Sequence, residues 1–137
     1  MLSKAEGERE EMPAVLLQEA DLGTRGFVKV VLEDAGFVVL QTAEGSDLLD
    51  RYRIKQTDAV IVGFPSSDGK GLATIKRLTS EFPHAVVIML AADFEWQRYV
   101  DVRPLVGARR TLPKPLSGGD LVNALQEELG ISALSVT

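Results

Sequence analysis

The sequence predicts an α/β protein whose core is a parallel sheet of five strands, covered by helices on both faces. Three observations carry that expectation. Short apolar runs recur along the chain and are apolar throughout; segments with apolar residues at helical spacing separate them; small or turn-forming residues mark the junctions. A parallel strand needs a crossover connection and the crossover helix covers it, so strands buried on both faces lose the polar alternation of a half-exposed sheet.

Each element follows in order. Residues 14 to 18, AVLLQ, form the first strand. Asp21 can cap a first helix in which Phe27, Val30, Val31 and Ala35 recur at helical spacing, ending at Gly36. The second strand is FVVLQ, residues 37 to 41, and Leu48, Leu49 and Tyr52 mark the second helix. The stretch DAVIVGFPSSDGKGL, residues 58 to 72, supplies a third strand that stops at Gly63 and then turns through small polar residues. Leu72, Ile75 and Leu78 mark a third helix that ends before Pro83, and AVVIML, residues 85 to 90, is the fourth strand. A less regular fourth helix covers about residues 94 to 103, a short fifth strand holds Thr111 and Leu112, and a last helix carries Leu121, Leu125 and Leu129 before Gly130. The result is a (βα)5 series without internal repeats. Residues 1–12 and 130–137 lack an amphipathic period and are expected to be flexible ends around one domain at 13–129.

Composition narrows the function. A chain of 137 residues fits one domain that buries about two-thirds of its unfolded surface. Hydrophobic residues at 45% and charged residues at 26% are ordinary for a globular protein. With no cysteine, disulfides, thiolate metal sites and a cysteine nucleophile are excluded. The formal charge of −5 argues against a nucleic-acid surface, which needs clustered Lys and Arg. No apolar stretch approaches the roughly 20 residues that span a bilayer, and the charged start MLSKAEGEREEM is unlike a secretory signal, so a cytoplasmic location is expected.

In a doubly wound sheet the site lies outside the carboxyl ends of the strands. That directs attention to residues 18–21, Gly63 and its loop, residues 90–92 and residues 113–115. At these places LLQEADLGTR, DAVIVGFPSSDGKGL, VVIMLAA and GARRTLPKPL, taken in order, resemble the receiver domains of two-component response regulators over about residues 13 to 129. The most specific element is GARRTLPKP, ending in the Lys114-Pro115 pair that the family keeps.

The resemblance implies a flavodoxin-like sheet of strand order 2-1-3-4-5. It also implies a degenerate phosphorylation pocket. The family places its phospho-acceptor aspartate where Gly63 stands; of two acids that hold Mg²⁺, Glu19 matches the first and Ala20 replaces the second. Ala91 stands where a Ser or Thr contacts the phosphoryl group, and Thr111 where an aromatic switch residue sits. Of the pocket's polar members only Glu19 and Lys114 survive, and the peptide bond from Lys114 to Pro115 is expected to be cis. One carboxylate without a phosphate partner is a poor Mg²⁺ site, and phosphoryl transfer without acceptor or metal has nothing left to catalyse.

The same residues admit other readings. Asp68 as a substitute acceptor lies five residues past the strand end and is better read as beginning or capping the next helix. The loop GFPSSDGKG, residues 63–71, has the context of a phosphate-cradling P-loop but one residue too many, and Gly71 where a hydroxyl should meet Mg²⁺. His84, the single histidine, reads as a solvated loop residue, and Glu127 and Glu128 as a solvated helix face. Glu19 and Lys114 read as an ion pair rather than an acid and base pair.

The expected function is a phosphorylation-independent pseudo-receiver, a protein-protein interaction module in signalling, with no enzymatic activity, no cofactor and no nucleic-acid or membrane partner. In the family the fourth helix, fifth strand and fifth helix carry dimerisation or output contacts. Here Trp96, Arg98, Tyr99, Arg103, Arg109, Arg110 and Thr111 fall in or near that segment, so the expected face suits a homodimer or a partner with an acidic surface. The alternative is a nucleotide- or phosphate-binding protein using the loop from Gly63 to Gly71.

Overall fold

A computed structural model of the chain describes residues 12–42 and 45–131. The elements are β1 (Ala14–Gln18), α1 (Leu22–Asp34), β2 (Val38–Thr42), α2 (Gly45–Ile54), β3 (Ala59–Gly63), α3 (Gly71–Glu81), β4 (Val87–Ala92), α4 (Trp96–Val106), β5 (Arg110–Lys114) and α5 (Gly118–Leu129), with a single 3-10 turn, Asp93–Glu95, leading into α4. All strands are parallel in the order β2-β1-β3-β4-β5, the predicted doubly wound arrangement. No helix among the described residues is long and apolar enough to cross a membrane.

Two-residue alternation along the strands divides the core in two. Leu16, Val60, Val62, Val87, Met89 and Ala91 face Leu48, Leu49 and Tyr52 of α2, Ile75 and Leu78 of α3, and Tyr99 and Val106 of α4. Val15, Leu17, Ala59, Ile61, Ile88 and Leu90 face Val28 and Leu32 of α1 and Leu121, Ala124 and Leu125 of α5. Central strands β1 and β3 are buried along their whole length, which is why their sequences show no polar alternation.

The helix ends use the residues the sequence offers. Asp21 Oδ2 accepts the backbone N–H of Thr24 at 2.8 Å and the Thr24 hydroxyl at 2.8 Å, capping α1 as expected. Ser117 caps α5, and Gly130 closes it at φ 66°, a left-handed conformation that suits glycine. Ile131 then packs partly against the core. Most of the expected flexible ends, 1–12 and 130–137, lies outside the described residues.

One helix is turned relative to the sequence reading. Phe27 and Val30 of α1 are exposed, and Val28 and Leu32 take the core positions. The segment FVKVVLEDA carries two overlapping apolar stripes, and packing of α1 beside α5 selects the one through Val28 and Leu32.

Candidate functional site

The carboxyl ends of β1, β3 and β5 converge on one carboxylate. Glu19, one residue past β1, is 1% exposed; its Oε2 accepts the Asp21 N–H at 2.9 Å. Lys114, the last residue of β5, brings its ammonium to 2.7 Å from Glu19 Oε1 and donates to the Phe64 carbonyl at 3.1 Å. Oε1 has no partner in hydrogen-bonding geometry, so its contact with Lys114 is a close ion pair rather than a directed hydrogen bond. Glu19 and Lys114 thus meet, as the sequence predicted. Gly63 closes β3 beside Leu90 of β4, Ala91 is buried in the sheet, and Ala20 is exposed. The bonds Phe64–Pro65 and Lys114–Pro115 are both cis, the second as expected.

A Mg²⁺ ion of the kind the resemblance implies does not fit these residues. Glu19 is held by an ammonium, Asp21 is engaged by the Thr24 N–H and hydroxyl as the cap of α1, Ala20 and Gly63 offer no side-chain oxygen, and no three carboxylate, imidazole or thiol groups converge among the described residues.

The loop after β3 is filled by its own side chains. Phe64 is buried with its ring 4.6 Å from that of Tyr99. Ser66 Oγ accepts the Gly71 N–H at 3.0 Å, and Asp68 Oδ1 accepts the Lys70 N–H at 2.9 Å. These amides at the start of α3 are the donors a phosphate cradle would present, and they are already used. Asp68 makes an exposed turn ahead of α3, whose N-cap is Lys70, so it neither caps the helix nor points into the strand-end cluster.

The face expected to bind partners is built differently from the sequence reading. Tyr99 is 7% exposed and belongs to the core, and Thr111 is 8% exposed with its hydroxyl oxygen unpartnered, so neither side chain belongs to an open surface. Trp96 is half-buried, its indole N–H donating to the Thr111 carbonyl at 2.8 Å, which ties the start of α4 to β5. Arg103 donates to the Ala108 carbonyl at 2.9 Å and braces the turn into β5.

Arg110 donates to Glu127 at 2.6 Å and Glu128 at 2.8 Å, and Arg109 lies 3.6 Å from Glu128. These bonds, to Glu128 first and then Glu127, push the Arg110 guanidinium above its ordinary value. The two glutamates are therefore counter-ions of β5 rather than a purely solvated face. Of the expected arginines, Arg98 stays most open, 70% exposed with Glu95 at 3.9 Å.

Two large apolar residues absent from the sequence reading are exposed along this segment: Phe94, 89% exposed in the 3-10 turn before α4, and Leu105, 72% exposed on α4 itself. A spacing of seven residues puts Arg98 and Leu105 on one side of α4, away from the Tyr99, Val102 and Val106 stripe that enters the core. That complementary stripe was the signal available in the sequence.

Comparison with known proteins agrees with this architecture. The response regulator receiver domain family matches residues 15–126. A putative response regulator from Chloroflexus aurantiacus superimposes with TM-score 0.82 at 22% identity, covering 88% of this chain and 99% of that one. A receiver domain protein from Clostridium thermocellum gives 0.78 at 21% identity, covering 87% and 95%. A chemotaxis response regulator of Vibrio cholerae gives 0.76 at 25% identity, covering 86% and 99%. No curated protein sequence matches significantly. With the sheet order and a family match over most of its length in agreement, the chain belongs to the response regulator receiver domain family.

Proposed function

We propose that this receiver is a phosphorylation-independent pseudo-receiver that works as a protein-protein interaction module in signal transduction. The observation that carries the reading is the strand-end cluster. On the family resemblance Gly63 stands at the acceptor position, and the nearest carboxylate, Glu19, is buried against Lys114 rather than open to a phosphodonor. Acetyl phosphate or beryllofluoride with Mg²⁺ should leave the intact mass and the amide spectrum unchanged. A covalent phosphoryl group on any aspartate, Asp68 included, would overturn the proposal.

The proposed working surface is the exposed side of α4 with its flank toward β5 and α5. Phe94 and Leu105 supply apolar area and Arg98 a directed charge, the combination that gives interfaces much of their energy. With Arg109 and Arg110 matched by Glu127 and Glu128, the partner needs an apolar patch with one acidic group beside it more than a broadly acidic surface. A second copy of the chain is one candidate. The paired variant Phe94→Ser with Arg98→Glu should abolish self-association in light scattering or partner capture in pull-down. If binding survives that change but is lost in a folded Glu19→Ala variant, the surface lies at the strand ends instead.

Nucleotide or phosphate binding by the loop from Gly63 to Gly71 is not favoured, because Ser66 and Asp68 consume its amides and Phe64 its space. A nucleotide titration followed by fluorescence of the single tryptophan, Trp96, checks this directly.

A further inference from the structure

Gly63 is not demanded by its own backbone. The described glycines with left-handed φ are Gly36, Gly69, Gly107 and Gly130, whereas Gly63 lies in regular strand register with Leu90. A side chain there is barred by space. A Cβ on residue 63 would lie 1.9 Å from Glu19 Oε1, 2.5 Å from its Cδ and 3.0 Å from Oε2, so all three nearest atoms belong to one carboxyl group. The Glu19 carboxylate occupies the volume in which a side chain of residue 63 would begin.

We propose that Glu19 is the resident occupant of the strand-end pocket, and that its pair with Lys114 and any side chain at position 63 are mutually exclusive. The contact does more than fill space. Glu19 fixes the end of β1 through the Asp21 N–H, Lys114 is the end of β5, and the same ammonium holds the Phe64 carbonyl just past β3. One carboxylate-ammonium contact thereby clamps three strand ends and holds the loop from β5 to α5 in a single arrangement without a modification or an ion. The clamp is a property of the chain whichever partner it serves and does not depend on the interaction reading. It also means that an acidic side chain restored at position 63 must first evict Glu19.

A carboxylate is the far end of a flexible side chain, so Gly63→Ala can fold by displacing it and releasing Lys114. A thermodynamic cycle tests the exclusion. Gly63→Ala should lower Tm by roughly 10 °C in the natural chain. In a Glu19→Ala background the same change should cost nothing or stabilise slightly, since alanine in a strand loses less entropy on folding than glycine. As a local readout, the acetylation rate of Lys114 by peptide mass spectrometry, relative to that of exposed Lys55, should rise several-fold in both single variants. An equal loss of Tm in the two backgrounds, or a Lys114 still as protected in Gly63→Ala as in the natural chain, overturns the proposal. Should Gly63→Ala fail to fold, the double variant must fold; a double variant that stays unfolded overturns it too.

Discussion

Replacing Lys114 by methionine keeps most of the stem's volume and deletes the ammonium, leaving the Glu19 carboxylate, 1% exposed, with the Asp21 N–H as its remaining directed contact. Removing one partner of a buried pair costs about 3–5 kcal/mol because the other charge is left uncompensated. The Lys114 side chain is itself 16% exposed, which places the expected loss near the lower end, about 3 kcal/mol. For a domain of this size that corresponds to a fall in Tm of roughly 12 °C. The assay is thermal unfolding followed by circular dichroism at pH 7, in low salt and again at high salt. Because the pair is shielded from solvent, the difference between the natural and variant proteins should persist in salt, unlike that of a surface pair. Removing both charges, Glu19→Leu with Lys114→Met, should recover most of the loss, since a buried pair contributes little more than apolar residues that fill its place. A fall of less than about 4 °C, or one that disappears in salt, would mean that Glu19 finds water or another donor at little cost and that the contact with Lys114 clamps nothing.

Arg110→Ala should behave in the opposite way, costing at most about 1 kcal/mol and less in salt, because its bonds to Glu127 and Glu128 lie near the surface; urea unfolding at two ionic strengths checks it. Trp96→Phe should cost about 1 kcal/mol by losing the indole N–H bond to the Thr111 carbonyl, with amide shifts confined to the start of α4 and to β5. Leu125→Ala, at a fully buried position on α5, should cost 2–5 kcal/mol in urea unfolding on the usual scale for core truncations, about as much as Lys114→Met although no charge is involved. Asp21, Asp47 and Glu81 titrate below their ordinary values, held down chiefly by the Thr24 backbone N–H, by Arg51 and by Arg53 respectively. Their stabilisation is therefore complete above the unfolded values of 3.8 and 4.5 and is lost as pH falls through the lower folded values. Urea midpoints should be flat from neutrality to about pH 5 and fall below about pH 4; midpoints that rise over that last interval would contradict the assignment.

The sheet and its order were legible because continuous apolar strands and interleaved helical stripes have few other arrangements available. The phase of a helix was less legible. In α1 two stripes of equal quality overlap, and only the position of α5 chooses Val28 and Leu32 over Phe27 and Val30. In α4 the chain enters through a 3-10 turn, where fewer residues make each turn, so counting from Phe94 does not fix which side Tyr99 will face. Tyr99, expected on the surface, faces the core, and the exposed apolar side chains of this segment are Phe94 and Leu105. Thr111 is buried for a reason equally hidden in the sequence: β5 is short and charged, and the inward position of Thr111 follows from pairing with Met89 of the core rather than from any pattern within RTLPK.

The pocket shows the same division between chemistry and geometry. That Glu19 and Lys114 should pair follows from their positions at the carboxyl ends of β1 and β5, on the same edge of the sheet, and from the cost of leaving either charge alone in a partly buried site. Where the carboxylate comes to rest does not follow, because a glutamate one residue past a strand can point along the sheet axis or across it. The absent side chain of Gly63 decides the matter, since it opens the volume across the sheet that the carboxylate fills. A glycine read in sequence as a lost function is, in the folded chain, the space that lets another residue close the site. The two positions are therefore coupled physically. Restoring a side chain at position 63 while keeping Glu19 should be harder for this chain than restoring it after Glu19 has been shortened, and that asymmetry is a property of packing that neither position carries alone.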